Sequence, residues 1–197
     1  MKEKKRCTWC LGDSLYEAYH DQEWGVPLTD DKLLFEFLIL ETFQAGLSWI
    51  TILRKRENFR KAFDNFDYHY IAKYTEPKVE SLMQDTGIIR NQLKIRAAIS
   101  NAQAFIRVRE EFESFSKYVW EFVDNKPLQN SRGTDSEVPA STEVSIVLSK
   151  DLKKRGFKFV GPTVVYAHMQ ATGMVNDHVE DCFRYQEVKA LGNNITP

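Results

Sequence analysis

The chain has 197 residues, 43% of them hydrophobic and 28% charged, with a formal net charge of −1. That length suffices for one core without disulfides or a partner, and a charge so near zero excludes a globally basic nucleic-acid binder, so any DNA-binding face has to be local. Three cysteines are an odd number at low density, which argues against a disulfide framework and leaves thiols free for metal.

Met1 to Arg6 is polar and leads straight into Cys7-Thr8-Trp9-Cys10, without the apolar stretch of a secretory signal. The longest apolar runs, such as Leu33 to Leu40, are broken by Glu36 and fall short of a membrane span. A soluble, cytoplasmic monomer without membrane contact is expected.

Helical periodicity dominates. Leu33, Leu34, Phe37, Leu38 and Leu40 fall at three-to-four spacing after the start signal Thr29-Asp30-Asp31, and Leu47, Ile50, Ile52 and Leu53 bracket a cap at Ser48. Thr75-Glu76-Pro77 places proline at a first helical position. Ile95, Ala98, Ile99, Ala102, Phe105 and Ile106 mark a further helix. Strand alternation is nearly absent, so an all-α protein of about eight to ten short helices is expected. Asn125 to Ser141, with Pro127, Gly133 and Pro139, reads as the one long loop. Residues 1–185 are expected to form a single helical domain, with two closely packed lobes as an option, and residues 186–197 a flexible tail.

Cys7, Cys10 and His20 lie near the start, and His178 and Cys182 near the end. Two ligands four residues apart on a helix share a face and can grip one ion, and two more from the other end complete a Cys2His2 set typical of structural zinc. Such a set leaves no coordination position for water. The competing explanation is buried cysteines with incidental histidines, but all the cysteines and half the histidines fall in these two segments. Spacing leaves open whether Cys7 or Cys10 is the fourth ligand, and whether the CxxC pair is redox-active.

From Leu152 to Pro162 a helix ends in Lys153, Lys154 and Arg155, a turn bounded by Gly156 and Gly161 carries Lys158, and a new helix starts at proline. Glycines let the backbone approach a ligand, and the first N–H groups of the next helix attract anions such as phosphate. A second corner, Asp85 to Ile95, carries Arg90 and Lys94, and the two corners together suggest a clamp on successive phosphates. An ordinary helix-to-helix turn stays the alternative, but it needs only one glycine and no cations and so explains less of the Leu152 to Pro162 segment.

Glu41 closes the most apolar stretch, with Trp9, Tyr16, Tyr19, Trp24 and Trp49 as candidate neighbours. A buried acid needs an internal donor or a ligand that supplies one, and a flat cation suits carboxylate and ring faces together. Core aromatics and a solvent-exposed Glu41 are the bland alternative.

Four segments then carry a resemblance: Tyr19 to Pro27, Gln44 to Thr51, Lys154 to Gly161 and Val175 to Val179. In that order they resemble bacterial 3-methyladenine DNA glycosylase I, and the likeness runs from about Cys7 to Cys182. The resemblance implies the helix-hairpin-helix glycosylase fold, with the hairpin over Lys154 to Val165 and a zinc site joining the two chain ends. It implies Cys7, His20, His178 and Cys182 as zinc ligands, leaving Cys10 without a role. It places the base-contacting acid on Glu41 and the pocket on Trp9, Tyr16, Tyr19 and Trp49. It makes Leu47 a wedge into the duplex and Lys154, Arg155, Gly156, Lys158 and Gly161 the DNA-binding hairpin.

The implied reaction is excision of 3-methyladenine from alkylated double-stranded DNA after base flipping. Many relatives in the wider superfamily carry an aspartate near the end of this likeness, where Asn176 stands here; catalysis would then lean on selective binding in the pocket. The alternatives are a zinc-stabilised DNA-binding module without catalysis and, less compatible with a closed ligand set, a zinc hydrolase.

Overall fold

The computed structural model describes residues 4–197, so the Met1–Glu3 part of the polar start lies outside the described residues. Ten α-helices were found among them: α1 Ser14–Gln22, α2 Asp31–Gln44, α3 Trp49–Ala62, α4 Tyr68–Ile71, α5 Glu76–Gln84, α6 Gln92–Phe112, α7 Phe115–Trp120, α8 Glu143–Lys154, α9 Pro162–Ala171 and α10 Phe183–Leu191. The only strands among these residues, β1 Leu128–Gln129 and β2 Val175–Asn176, pair in parallel. None of the helices is long and apolar enough to cross a membrane.

The architecture is organised around α2. Every residue from Leu34 to Phe43 is buried, so the helix is covered on all faces rather than along one stripe. Asp30 starts it by accepting the N–H of Leu33 at 2.9 Å. Around it α3, α6, α7 and α9 pack into one continuous core that includes Phe35, Phe43, Phe59, Phe105, Phe115, Trp120 and Met169. The core draws on residues before and after the 125–141 segment, which holds β1 and a short 3-10 turn, Asp135–Glu137.

Two glutamates are buried on α2, and their contrast sets up the site. Glu36 is satisfied by Arg56 Nε at 2.6 Å and Arg60 Nη2 at 2.7 Å, both from α3. Glu41 has no such partner.

The chain from Gln186 departs from the expected tail. It continues α10 to Leu191, and Val188 is fully buried. Val188, Ala190 and Leu191 span barely one turn before Gly192, too short a pattern to reveal a last helix that docks on the fold.

Candidate active site and metal cluster

Trp9, Tyr16, Tyr19, Trp24, Glu41, Gln44, Trp49, Asp135, Gln170 and Asp177 line one cavity of about 380 Å³. The last turn of α2 brings Glu41 and Gln44, the first turn of α3 brings Trp49, α1 brings Tyr16 and Tyr19, and a 3-10 turn at Thr8–Cys10 brings Trp9. The rings pack edge to face, with centroids 4.8 Å apart for Trp9 and Tyr16, 5.0 Å for Trp9 and Trp24, and 5.5 Å for the tilted pair Tyr19 and Trp49. Tyr19 is buried, and burial followed by the nearby Glu41 pushes its hydroxyl pKa well up.

Glu41 is 3% exposed, and its Oε2 has no hydrogen-bond partner. The indole Nε1 of Trp49 is likewise buried and unpartnered. Desolvation raises the Glu41 carboxyl from 4.5 to about 8. Unpaired buried polar atoms cost free energy, so a wall carrying two of them is built for a ligand that satisfies both.

The same cavity is lined by a second carboxylate with the reverse character, Asp177. Asp177 accepts from Asn130 Nδ2 at 2.6 Å, from Gln170 Nε2 at 2.9 Å and from the Tyr166 hydroxyl, with Arg132 Nε at 3.5 Å. The β1–β2 pair delivers it, because β2 ends at Asn176.

Behind Trp9 and Trp24, the donor atoms of Cys7, His20, His178 and Cys182 lie within 4.8 Å of one another, all buried. Cys7 Sγ is 3.7 Å from His178 Nδ1, and Cys182 Sγ is 3.6 Å from the same atom and 3.5 Å from His20 Nε2. The other nitrogen of each imidazole is held elsewhere, His20 Nδ1 by Asp21 at 2.9 Å and His178 Nε2 by the Trp24 carbonyl at 3.0 Å. Those bonds leave both inward nitrogens as lone pairs, a donor set able to hold one metal ion. Cys10 stands outside the cluster, its thiol donating to the Cys7 carbonyl at 3.2 Å.

A family model for methyladenine glycosylases matches residues 9–185. The chain belongs to the methyladenine glycosylase family. It is 54% identical over 181 residues to DNA-3-methyladenine glycosylase 1 of Escherichia coli, covering 92% of this chain and 97% of that one. It is 49% identical over 177 residues to DNA-3-methyladenine glycosylase of Haemophilus influenzae, covering 90% and 96%. A solved 3-methyladenine DNA glycosylase I in complex with 3-methyladenine is similar with a TM-score of 0.88 at 36% identity, covering 90% of this chain and 96% of that one.

In this methyladenine glycosylase the cavity gathers Glu41, Trp9, Tyr16, Tyr19 and Trp49. Sequence reasoning missed Asp135, Gln170 and Asp177. Leu47 is 39% exposed at the tip of the turn between α2 and α3. On the α8–α9 turn, Lys154 and Lys158 are exposed, and Gly156 has φ +99, a conformation that favours glycine. Gly161 sits at the N-cap of α9 with ordinary φ −64, and nothing lies within 4 Å of where its Cβ would be.

Arg155 differs from the rest of its cluster. Its Nε meets Asp151 at 2.5 Å and its Nη1 meets Glu111 at 2.7 Å, and the guanidinium lies over Phe112 and Tyr118. It braces the turn against α6 and α7. Lys94 departs from the expected phosphate clamp too: it is buried, with Nζ donating to the carbonyls of Phe43 and Ala45, whereas Arg90 at the same corner is exposed.

Proposed function

We infer that this methyladenine glycosylase hydrolyses the N-glycosidic bond of 3-methyladenine in alkylated double-stranded DNA, after the damaged nucleotide flips into the aromatic cavity. The carrying observation is the unpartnered Glu41 carboxyl among the rings of Tyr16, Tyr19 and Trp49.

Methylation at N3 places positive charge on adenine and weakens the bond from N9 to C1′. As that bond breaks, its electron pair passes to the base, which leaves neutral without protonation. Water then adds to C1′ and releases a proton. Glu41 accepts hydrogen bonds from the cationic base, and the ring faces add cation–π attraction. The positive charge of the bound base opposes the desolvation that keeps the Glu41 carboxyl protonated, and so favours the carboxylate. Flipping costs a few kcal/mol of unstacking, and Leu47 offsets part of it by filling the gap left in the duplex.

The Cys7, His20, His178 and Cys182 cluster is assigned one structural zinc ion. Zinc bonds of about 2.3 Å to sulfur and about 2.05 Å to nitrogen give a tetrahedral edge of about 3.6 Å, which supports this metal at the sulfur-to-nitrogen spacings of the cluster. With four protein ligands the ion constrains the fold and takes no part in the chemistry. The α8–α9 turn is assigned as a helix-hairpin-helix element, with Lys154, Lys158 and the first N–H groups of α9 on the phosphates and Arg155 bracing them.

Chromatography of free bases released from methylated duplex DNA, with unmethylated duplex as control, tests the activity. Release of 3-methyladenine without 7-methylguanine is expected. Binding to both duplexes with no base released supports the non-catalytic DNA-binding module instead.

A further inference from the structure

Lys94, the first-turn lysine of α6, is only 6% exposed, and its ammonium pairs with no carboxylate among the described residues. Its ammonium donates to the Phe43 carbonyl at 2.9 Å and to the Ala45 carbonyl at 2.6 Å. Burying a charge is costly, and burial pulls this lysine's pKa below its ordinary value, so the two bonds serve a purpose that a neutral side chain would not. Both acceptors lie at the C-terminus of α2, where carbonyls lack helical partners and the helix dipole favours a cation.

The turn that follows is tied from within as well. Leu47 N–H donates to the Gln44 carbonyl at 2.6 Å, Gln44 Nε2 donates to the Leu47 carbonyl at 3.2 Å, and Gly46 adopts φ +84. The result is a braced turn whose tip, Leu47, is exposed. An apolar side chain that displaces stacked bases needs a backbone that does not yield.

We propose that Lys94 is a positioning residue for base flipping: its buried ammonium anchors the α2 C-terminus and thereby holds Leu47 rigidly against the duplex. This role rests on the glycosylase activity proposed above. It concerns the wedge and not recognition of the base, so its loss should show on duplex DNA and not on free base.

The test is single-turnover excision by Lys94→Met on methylated duplex and on the same methylated strand alone, with binding of free 3-methyladenine followed by tryptophan fluorescence. The expected result is a loss of about tenfold on duplex against less than about twofold on single strand, with free-base affinity within about twofold. Adding Lys94→Met to Leu47→Ala should cost little more than Leu47→Ala alone, because both remove one function. Lys94→Arg, which keeps charge and donors, should retain the unaltered duplex to single-strand ratio. Should Lys94→Met not fold, Lys94→Gln allows the same comparison. Equal losses on both substrates, or additive losses with Leu47→Ala, would overturn the role of Lys94. No release by the unaltered chain would instead contradict the glycosylase activity itself.

Discussion

His178 Nε2 lies 3.0 Å from the carbonyl oxygen of Trp24, while His178 Nδ1 faces Cys7 and Cys182. One imidazole therefore joins the donor cluster to the backbone of a tryptophan that lines the cavity. Removing a metal from the cluster should disturb the pocket through this link. One zinc per chain is expected by elemental analysis, and chelation should lower Tm by more than about 10 °C and weaken binding of 3-methyladenine. A metal-free protein with unchanged Tm after chelation would count against the zinc assignment.

Glu41 gives the stability a specific pH dependence. In the folded chain its carboxyl holds a proton up to about pH 8, whereas the unfolded value is 4.5. Between those values folding takes up a proton, so the favourable contribution is complete below about pH 4.5 and is lost as pH rises through about 8. Glu41→Gln removes the dependence and should raise Tm relative to the unaltered chain more at about pH 9 than at about pH 5. Thermal melts across that range check it, and a difference independent of pH would contradict the buried, unpaired state of Glu41.

The α8–α9 turn separates phosphate binding from scaffold. Lys154→Glu combined with Lys158→Glu should weaken binding to any duplex and reduce the slope of log affinity against log salt by about 0.9 for each phosphate that is no longer neutralised. Arg155→Ala should act on the fold instead, lowering Tm by removing the guanidinium that joins Asp151 and Glu111 and covers Phe112 and Tyr118. Salt titrations of DNA binding beside thermal melts distinguish the two effects.

Gly173 has φ +72, and a Cβ there would fall 2.6 Å from the Gly25 carbonyl oxygen, against backbone that has no room to move. Gly173→Ala should therefore cost several kcal/mol, enough to leave little folded protein at 37 °C. A melt within about 3 °C of the unaltered chain would show that the loop at 25–27 yields after all.

Much of this was legible from residues. Apolar positions at three-to-four spacing, the cap at Asp30 and the proline in the first turn at Pro77 mark the helices, and the paired Cys and His segments mark the cluster. Geometry then decides what spacing left open, since Cys7 joins the donor set and Cys10 turns to a backbone carbonyl. Burial was the part not legible: Glu36 and Glu41 look alike on α2, yet arginines from α3 reach only the first. Asp177 escaped notice because strands of two residues carry no periodic signal, and only their pairing swings it onto the cavity wall. The basic clusters misled for a related reason, since composition does not distinguish Lys154, which is exposed, from Arg155 and Lys94, which are occupied inside the fold.

The most direct measurement is single-turnover release of 3-methyladenine from methylated duplex DNA by the unaltered chain and by Glu41→Gln, side by side. The unaltered chain should release it promptly, and the folded variant should do so about 10- to 100-fold more slowly, having lost the carboxylate that meets the cationic base. Equal rates from the two proteins would contradict the place given to Glu41 at the centre of the site.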